Sequence, residues 1–372
     1  MTDAPRLPSR PPDAPSPEGP LASAQRIGIV RLSAIGDVVN TLPALAALRR
    51  QRPDAHVAWV CERAAAGLLE GHPQLDNLVV VDRKAWTASL AGLARMPRAL
   101  WAFARTLRSL RLDATVDFQG NLRSGIATFL TRAPLRAGFA VPDAREFSHL
   151  LTNRHVGLPP GPLHRVERGL HLLTALGVET GGAAPLVPAT DADRGGVGEF
   201  LAREGLADAS FAAIHAGTSE FGRYKQWPQE RWGEVARRLA DDLGLPVVCT
   251  RGPDPGEARG AQAIARGAGP AARAAPLLSL RELGELYRRC RLFLGVDTGP
   301  MHLASAVGAP VVALFGPKDS RVYGPYFGPR AIVEKPLACR PCRRRSCDDP
   351  QCMLSITPED VLAAARELVE ST

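Results

Sequence analysis

No stretch of the 372-residue chain holds the ~18 or more uninterrupted apolar residues a membrane span needs, so the sequence predicts no transmembrane helix. The opening segment, Met1 to Ser23, also lacks the apolar stretch of a secretory signal. It is crowded with proline and carries Asp, Glu and Arg, so we read residues 1–23 as a disordered leader. The expected location is therefore cytoplasmic, where the seven cysteines would stay reduced. A third absence is chemical. The first strand-to-helix turn, Leu32-Ser33-Ala34-Ile35-Gly36-Asp37, lacks the G-x-G-x-x-G spacing of nicotinamide enzymes, which argues against an oxidoreductase or epimerase on an α/β plan.

What is present is ordinary in bulk and specific in detail. Hydrophobic content of 45% and charge of 23% suit a soluble globular protein, and the length allows two domains with full cores. A formal net charge of +8 favours an acidic partner such as phosphates, anionic lipid or nucleic acid. Segments read as strands, Arg26 to Arg31, His56 to Cys61, Leu78 to Val81 and Ala114 to Phe118, alternate with helical patterns at Val38 to Arg50 and Pro97 to Arg111. That rhythm predicts a parallel sheet covered on both faces. It lapses between Thr180 and Gly196 and then restarts. Strands are expected at Phe211 to His215, Pro246 to Thr250, Leu292 to Val296 and Pro310 to Phe315, with helices at Gln229 to Asp242, Leu280 to Arg289 and Pro358 to Glu370. The expected organisation is an N-terminal Rossmann-like domain over 24–180, a linker region over 181–208, a C-terminal Rossmann-like domain over 209–357 and a final helix over 358–372. Ligands of such sheets bind beyond the carboxyl ends of the strands.

The strongest single signal is Gly295-Val296-Asp297-Thr298-Gly299-Pro300. A buried strand breaks at Asp-Thr-Gly, and proline opens a helix expected to run to about Val307. Free backbone N–H groups at such a turn, backed by the helix dipole, make a diphosphate seat, and Asp297 beside it can hold sugar hydroxyls. A bland α/β turn is the alternative. His215-Ala216-Gly217-Thr218-Ser219 ends another strand with hydroxyls suited to an approaching anion, and Lys225 follows as a candidate phosphate ligand that could neutralise a departing diphosphate. Asp37 lies at a helix start, where it either caps the helix or removes a proton from an acceptor hydroxyl. Arginines at 98, 105, 108 and 111, then 123, 132, 136 and 145, are a solvated face or, with Trp101 and Phe103, a grip on an anionic, partly apolar acceptor at a membrane surface. Cys339, Cys342, Cys347 and Cys352 have the spacing of a zinc knuckle, or form a reduced metal-free loop. Zinc with the basic charge would suit a nucleic-acid binder, but that reading leaves the Asp-Thr-Gly and Gly-Asp turns unexplained. Cys61, Cys249 and Cys290 sit in apolar context and are expected in the core.

Taken in order, these segments resemble the heptosyltransferase family of lipopolysaccharide core assembly, glycosyltransferase family 9. The matching pieces are Arg31 to Asp37 with Thr41-Leu42-Pro43-Ala44-Leu45, Val116 to Ser124, His215 to Thr218 with Lys225-Gln226-Trp227-Pro228, and Gly295 to Gly299 with His302-Leu303. Ala144-Arg145-Glu146 and His164-Arg165-Val166-Glu167-Arg168 resemble the first heptosyltransferase branch. The segment from His215 to Lys225 is closer in length to the second, and the cysteine tail resembles other branches. The resemblance implies a GT-B fold whose two Rossmann-like domains face a central cleft, acceptor-binding first and donor-binding second. It implies an ADP-heptose donor (ADP-L-glycero-D-manno-heptose), a Kdo–lipid A acceptor at the inner face of the inner membrane, peripheral contact with anionic lipid, and no nucleic acid. It further implies inversion without a metal ion or cofactor. Asp37 matches the family's general base. Thr218, Ser219, Lys225, Thr298, Gly299 and His302 match the donor site, Asp297 a heptose ligand, and Arg123 and Arg145 acceptor ligands. A different acceptor within the family, or a catalytically dead member, are the alternatives.

Overall fold

The computed structural model describes residues 19–82, 90–342, 344 and 346–372. It divides between Pro188 and Ala189 into two units. In the first, strands rich in Val, Ile and Ala alternate with helices: β1 (Arg26–Val30), α1 (Ile35–Val39), α2 (Leu42–Gln51), β2 (His56–Glu62), α3 (Arg63–Leu69) and β3 (Asn77–Val81). Then come α4 (Leu90–Ser109), β4 (Ala114–Asp117), α5 (Leu122–Leu130), β5 (Leu135–Phe139), β6 (Arg154–Val156) and α6 (Arg165–Thr174). The six strands pair in parallel in the order β3-β2-β1-β4-β5-β6. β1 and β4 are buried on both faces, as a sheet covered by helices on each side requires.

The second unit repeats the plan. It holds α7 (Asp191–Arg203), β7 (Ala212–His215), α8 (Gln229–Leu243), β8 (Val247–Cys249), α9 (Pro255–Ala268), β9 (Ala272–Ala274), α10 (Leu280–Arg289) and β10 (Leu292–Val296). It closes with α11 (Gly299–Ala306), β11 (Val311–Phe315), α12 (Ser320–Tyr323), β12 (Arg330–Glu334), α13 (Gln351–Leu354) and α14 (Pro358–Glu370). Its parallel sheet runs β12-β11-β10-β7-β8-β9. Both sheets have the doubly wound strand order of a Rossmann fold. In each, the order reverses between the first and fourth strands, and that is where such sheets bind ligands.

Four expectations need correction. The pattern read as one helix over Val38 to Arg50 is two, α1 and α2, because the chain re-enters helix at Thr41 with Pro43 in the first turn, where its missing N–H costs nothing. The expected linker over 181–208 contains α7, whose glycines suggested a loop. Thr190 caps it, accepting from the Asp193 N–H at 3.2 Å while Asp193 accepts from the Thr190 N–H at 2.8 Å. Residues 19–23 of the expected leader are packed rather than loose. Leu21 is buried and donates its N–H to the Leu176 carbonyl at 3.2 Å; residues 1–18 lie outside the described residues. The last helix is no separate element either: Val361, Leu362 and Ala365 of α14 belong to the second unit's core, and Arg238 of α8 pairs with Glu359 at 2.9 Å.

Candidate active site

The first half-site lies where β1 and β4 leave their sheet. Arg31 follows β1 and is buried. One nitrogen of its guanidinium pairs with Oδ1 of Asp37 at 2.5 Å, and another donates to the Phe118 carbonyl at 2.6 Å. Burial pulls the Arg31 pKa down, while the neighbouring Asp37 carboxylate pushes it back up. Asp37 therefore stands in the first turn of α1 with one oxygen held by a buried cation. Its other oxygen accepts from the Ala34 N–H at a long 3.4 Å, a weak cap. Its side chain keeps 32% exposure, so the carboxylate is oriented without being sealed off.

The turn after β4 fixes this loop. Asp117 is buried and accepts from the Gln119 and Gly120 N–H groups and the Ser124 hydroxyl at 2.8–3.0 Å. Burial raises its pKa against those bonds, marking it as a structural clamp. The Gln119 side chain then accepts from the backbone N–H groups of Leu32 and Ser33 at 2.9 and 3.2 Å. Arg165 and Arg168 of α6 line the same crevice as Arg31 and Asp37. Sequence reading took both arginines only as a family mark; their place beside Asp37 follows from tertiary packing. Of the expected acceptor ligands, Arg123 pairs with Glu62 at 3.1 Å, and Arg145 is exposed with its N–H bound to the Gly120 carbonyl.

The second half-site forms where β7 and β10 leave theirs. Lys225 donates to the carbonyl of Asp297 at 2.6 Å and to its Oδ2 at 3.0 Å, and His302 Nε2 lies 4.0 Å from Asp297 Oδ1. These three expected residues are thus brought together. Thr298 begins α11 without a side-chain cap, its hydroxyl turned back to the Val296 carbonyl at 3.3 Å. The first N–H groups of α11 have no cap from that side chain, which suits an anion there. Among the described residues the buried Thr218 hydroxyl has no partner, an arrangement that costs free energy unless a ligand or water supplies one.

Thr218 also borders a cavity of about 430 Å³ at the carboxyl ends of β7 and β8, within the size range of small-molecule sites. Gly217, Trp227, Gln229, Thr250 and Glu257 help line it. Glu257 was not singled out from sequence, although Asp254 and Pro255 ahead of it signal a helix start. It accepts from the Gly252 N–H at 2.6 Å, and burial raises its pKa. His215, 3.7 Å from Glu257, is buried and held at about 4 by desolvation; its Nδ1 meets the Thr250 hydroxyl at 3.0 Å.

Cys339, Cys342, Cys347 and Cys352 line one small pocket beside Tyr224 and Pro317. Among the described residues, no group of three or more His, Cys, Asp or Glu side chains is placed to hold a metal ion. Cys61, Cys249 and Cys290 are buried, and desolvation pushes each thiol up to about 12.

Comparison with known proteins gives the family. Residues 100–352 match the model of glycosyltransferase family 9 (heptosyltransferase). The chain is 31% identical over 329 residues to lipopolysaccharide heptosyltransferase 1 of Pseudomonas aeruginosa, covering 87% of each. It is 26% identical over 354 residues to lipopolysaccharide heptosyltransferase 3 of Escherichia coli, covering 91% of this chain and 97% of that one. The solved structure of the E. coli heptosyltransferase WaaC with ADP superposes with a TM-score of 0.71 at 26% identity, covering 92% of this chain and 99% of that one. WaaC has also been solved with ADP-2-deoxy-2-fluoro heptose.

Proposed function

Because the chain belongs to glycosyltransferase family 9, the heptosyltransferases of lipopolysaccharide core assembly, we propose that it transfers heptose from ADP-L-glycero-D-manno-heptose to the Kdo region of lipid A, with inversion and without a metal ion. The observation that carries the donor half is the orphaned Thr218 hydroxyl bordering the second unit's cavity. The α11 N-terminus at the end of β10 supports a diphosphate there, with Thr298 and Gly299 supplying N–H groups. Glu257 suits a ribose diol, since a carboxylate accepts from two hydroxyls at once. A neutral His215 beneath it adds no competing positive charge.

In this reading the acceptor hydroxyl gives its proton to Asp37 as its oxygen attacks the anomeric carbon. The bond from that carbon to the diphosphate oxygen breaks, and ADP leaves with the electron pair. Arg31 holds Oδ1 of Asp37 and so orients the carboxylate for that proton. Lys225 and the α11 N–H groups stabilise charge growing on the leaving diphosphate. Asp297 keeps the Lys225 ammonium in position until the nucleotide competes for it. Arg123 and Arg145, together with Arg165 and Arg168, meet acidic groups of the acceptor, and protein and acceptor come together at the inner face of the inner membrane. Similarity to heptosyltransferase 3 favours, as a second reading, another core acceptor for the same donor.

Asp37→Asn tests the base assignment: turnover of donor and acceptor should fall at least about a thousandfold, with ADP affinity within about twofold of the parent. Near-normal turnover would remove Asp37 as the base.

A further inference from the structure

Helix α5 is apolar on the side that its own unit leaves uncovered. Leu122, Ile126 and Phe129 recur at helical spacing along one stripe, while Ser124, Gly125, Ala127 and Thr128 face inward. Against the helix packs a 3-10 turn, Ser148–Leu151, and Gly125 permits the contact: a Cβ there would lie 3.0 Å from the Leu151 side chain and 3.3 Å from that of Ser148. Leu151 and Ser148 thus point into α5, leaving Phe147 and Leu150 outside. The neighbouring helix α4 adds Trp101. These six large apolar side chains are 42–74% exposed. Scattered exposed leucines need no explanation, but a run of them with three aromatics on adjoining elements does.

The charges around the patch say what covers it. Between Arg98 and Arg154, arginines outnumber acidic residues, and Asp117 among the latter is buried as a clamp. Arg136 lies over the Phe129 ring at 5.7 Å and Arg105 over the Trp101 ring at 4.8 Å. Aromatic side chains flanked by arginine heads match an interface whose interior is hydrocarbon and whose surface is anionic. A protein partner would need complementary acidic groups around an apolar centre. A bilayer of anionic lipid supplies both without further fitting.

We propose that α5, the Ser148–Leu151 turn and the exposed part of α4 form the face by which the protein docks on an anionic membrane. The face is continuous with the first half-site. The α5 N-terminus follows the Asp117–Gly120 turn, and Gln119 of that turn holds the loop carrying Asp37. A lipid-anchored acceptor reaching Asp37 would therefore leave its acyl chains beside this patch. That last link rests on the proposed transfer reaction; the docking itself does not.

Flotation of the full chain with phosphatidylcholine vesicles, with and without phosphatidylglycerol, tests it. The parent should float with the anionic vesicles and stay behind with neutral ones. Phe129→Ser combined with Phe147→Ser and Leu150→Ser should lower the bound fraction about tenfold, with ADP affinity unchanged as the check on folding. Arg105→Glu with Arg136→Glu should weaken binding and make what remains less sensitive to salt. Unchanged flotation of the serine variant, or no flotation of the parent, would overturn the proposal. So would a parent dimer that the serine variant turns into monomer, since the patch would then join two copies. Failure to transfer heptose in solution would count against the reaction and leave the flotation result standing.

Discussion

At the scale of single residues, two pairings carry predictions. Lys225 and Asp297 sit 3.0 Å apart with little exposure, so each is the other's principal counter-charge there. Lys225→Ala should lower kcat about 10²–10³-fold, the effect of losing one donor from a preorganised anion hole, with ADP release as the readout. It should also cost stability, because Asp297 would keep a buried charge without its lysine. The second pairing involves His215, whose folded pKa of about 4 lies below its ordinary 6.5 through burial. The unfolded chain then binds the extra proton first, so stability is complete above about pH 6.5 and falls as pH drops toward 4, by about 3 kcal/mol in all. His215→Gln should flatten that part of the stability curve, measured by denaturant titration from pH 7 to 4. A parallel acid slope in both proteins would show that other groups dominate.

At the scale of elements, the site depends on two turns, and both were readable. Gly36-Asp37 and Asp297-Thr298-Gly299 stand out because glycine and proline punctuate apolar strands, leaving local sequence little choice of conformation. The α1–α2 break and α7 were not readable in the same way. Asn40 and Thr41 are compatible with continuing helix, and the glycines of α7 argue locally for a loop that tertiary packing overrides. Arg165, Arg168 and Glu257 needed the fold, because nothing in their own neighbourhoods says which crevice they line. Gly120 shows how a turn beside the candidate base should reach the chemistry. Its φ of +66° is a left-handed conformation, and an added Cβ would stand 3.0 Å from the Phe139 ring. Gly120→Ala should therefore cost about 1–2 kcal/mol, read as a lower Tm. It should also reduce kcat more than ADP affinity, since Gln119 beside it holds the loop of Asp37 and not the donor seat.

At the scale of the whole molecule, two sheets with the same strand order, in a chain similar to WaaC over 92% of its length, give the GT-B fold. Duplication of the plan puts one candidate seat at each topological switch point: a carboxylate among arginines in the first unit, an anion seat in the second. No helix among the described residues is long and apolar enough to cross a membrane. The measurement that bears most directly on this account is a transfer assay on the full chain with ADP-L-glycero-D-manno-heptose, offering Kdo–lipid A and an already heptosylated core in parallel. The account predicts heptosylated product and matching ADP release on Kdo–lipid A, both lost in Asp37→Asn. Product on the heptosylated core alone, or on neither acceptor, would contradict it.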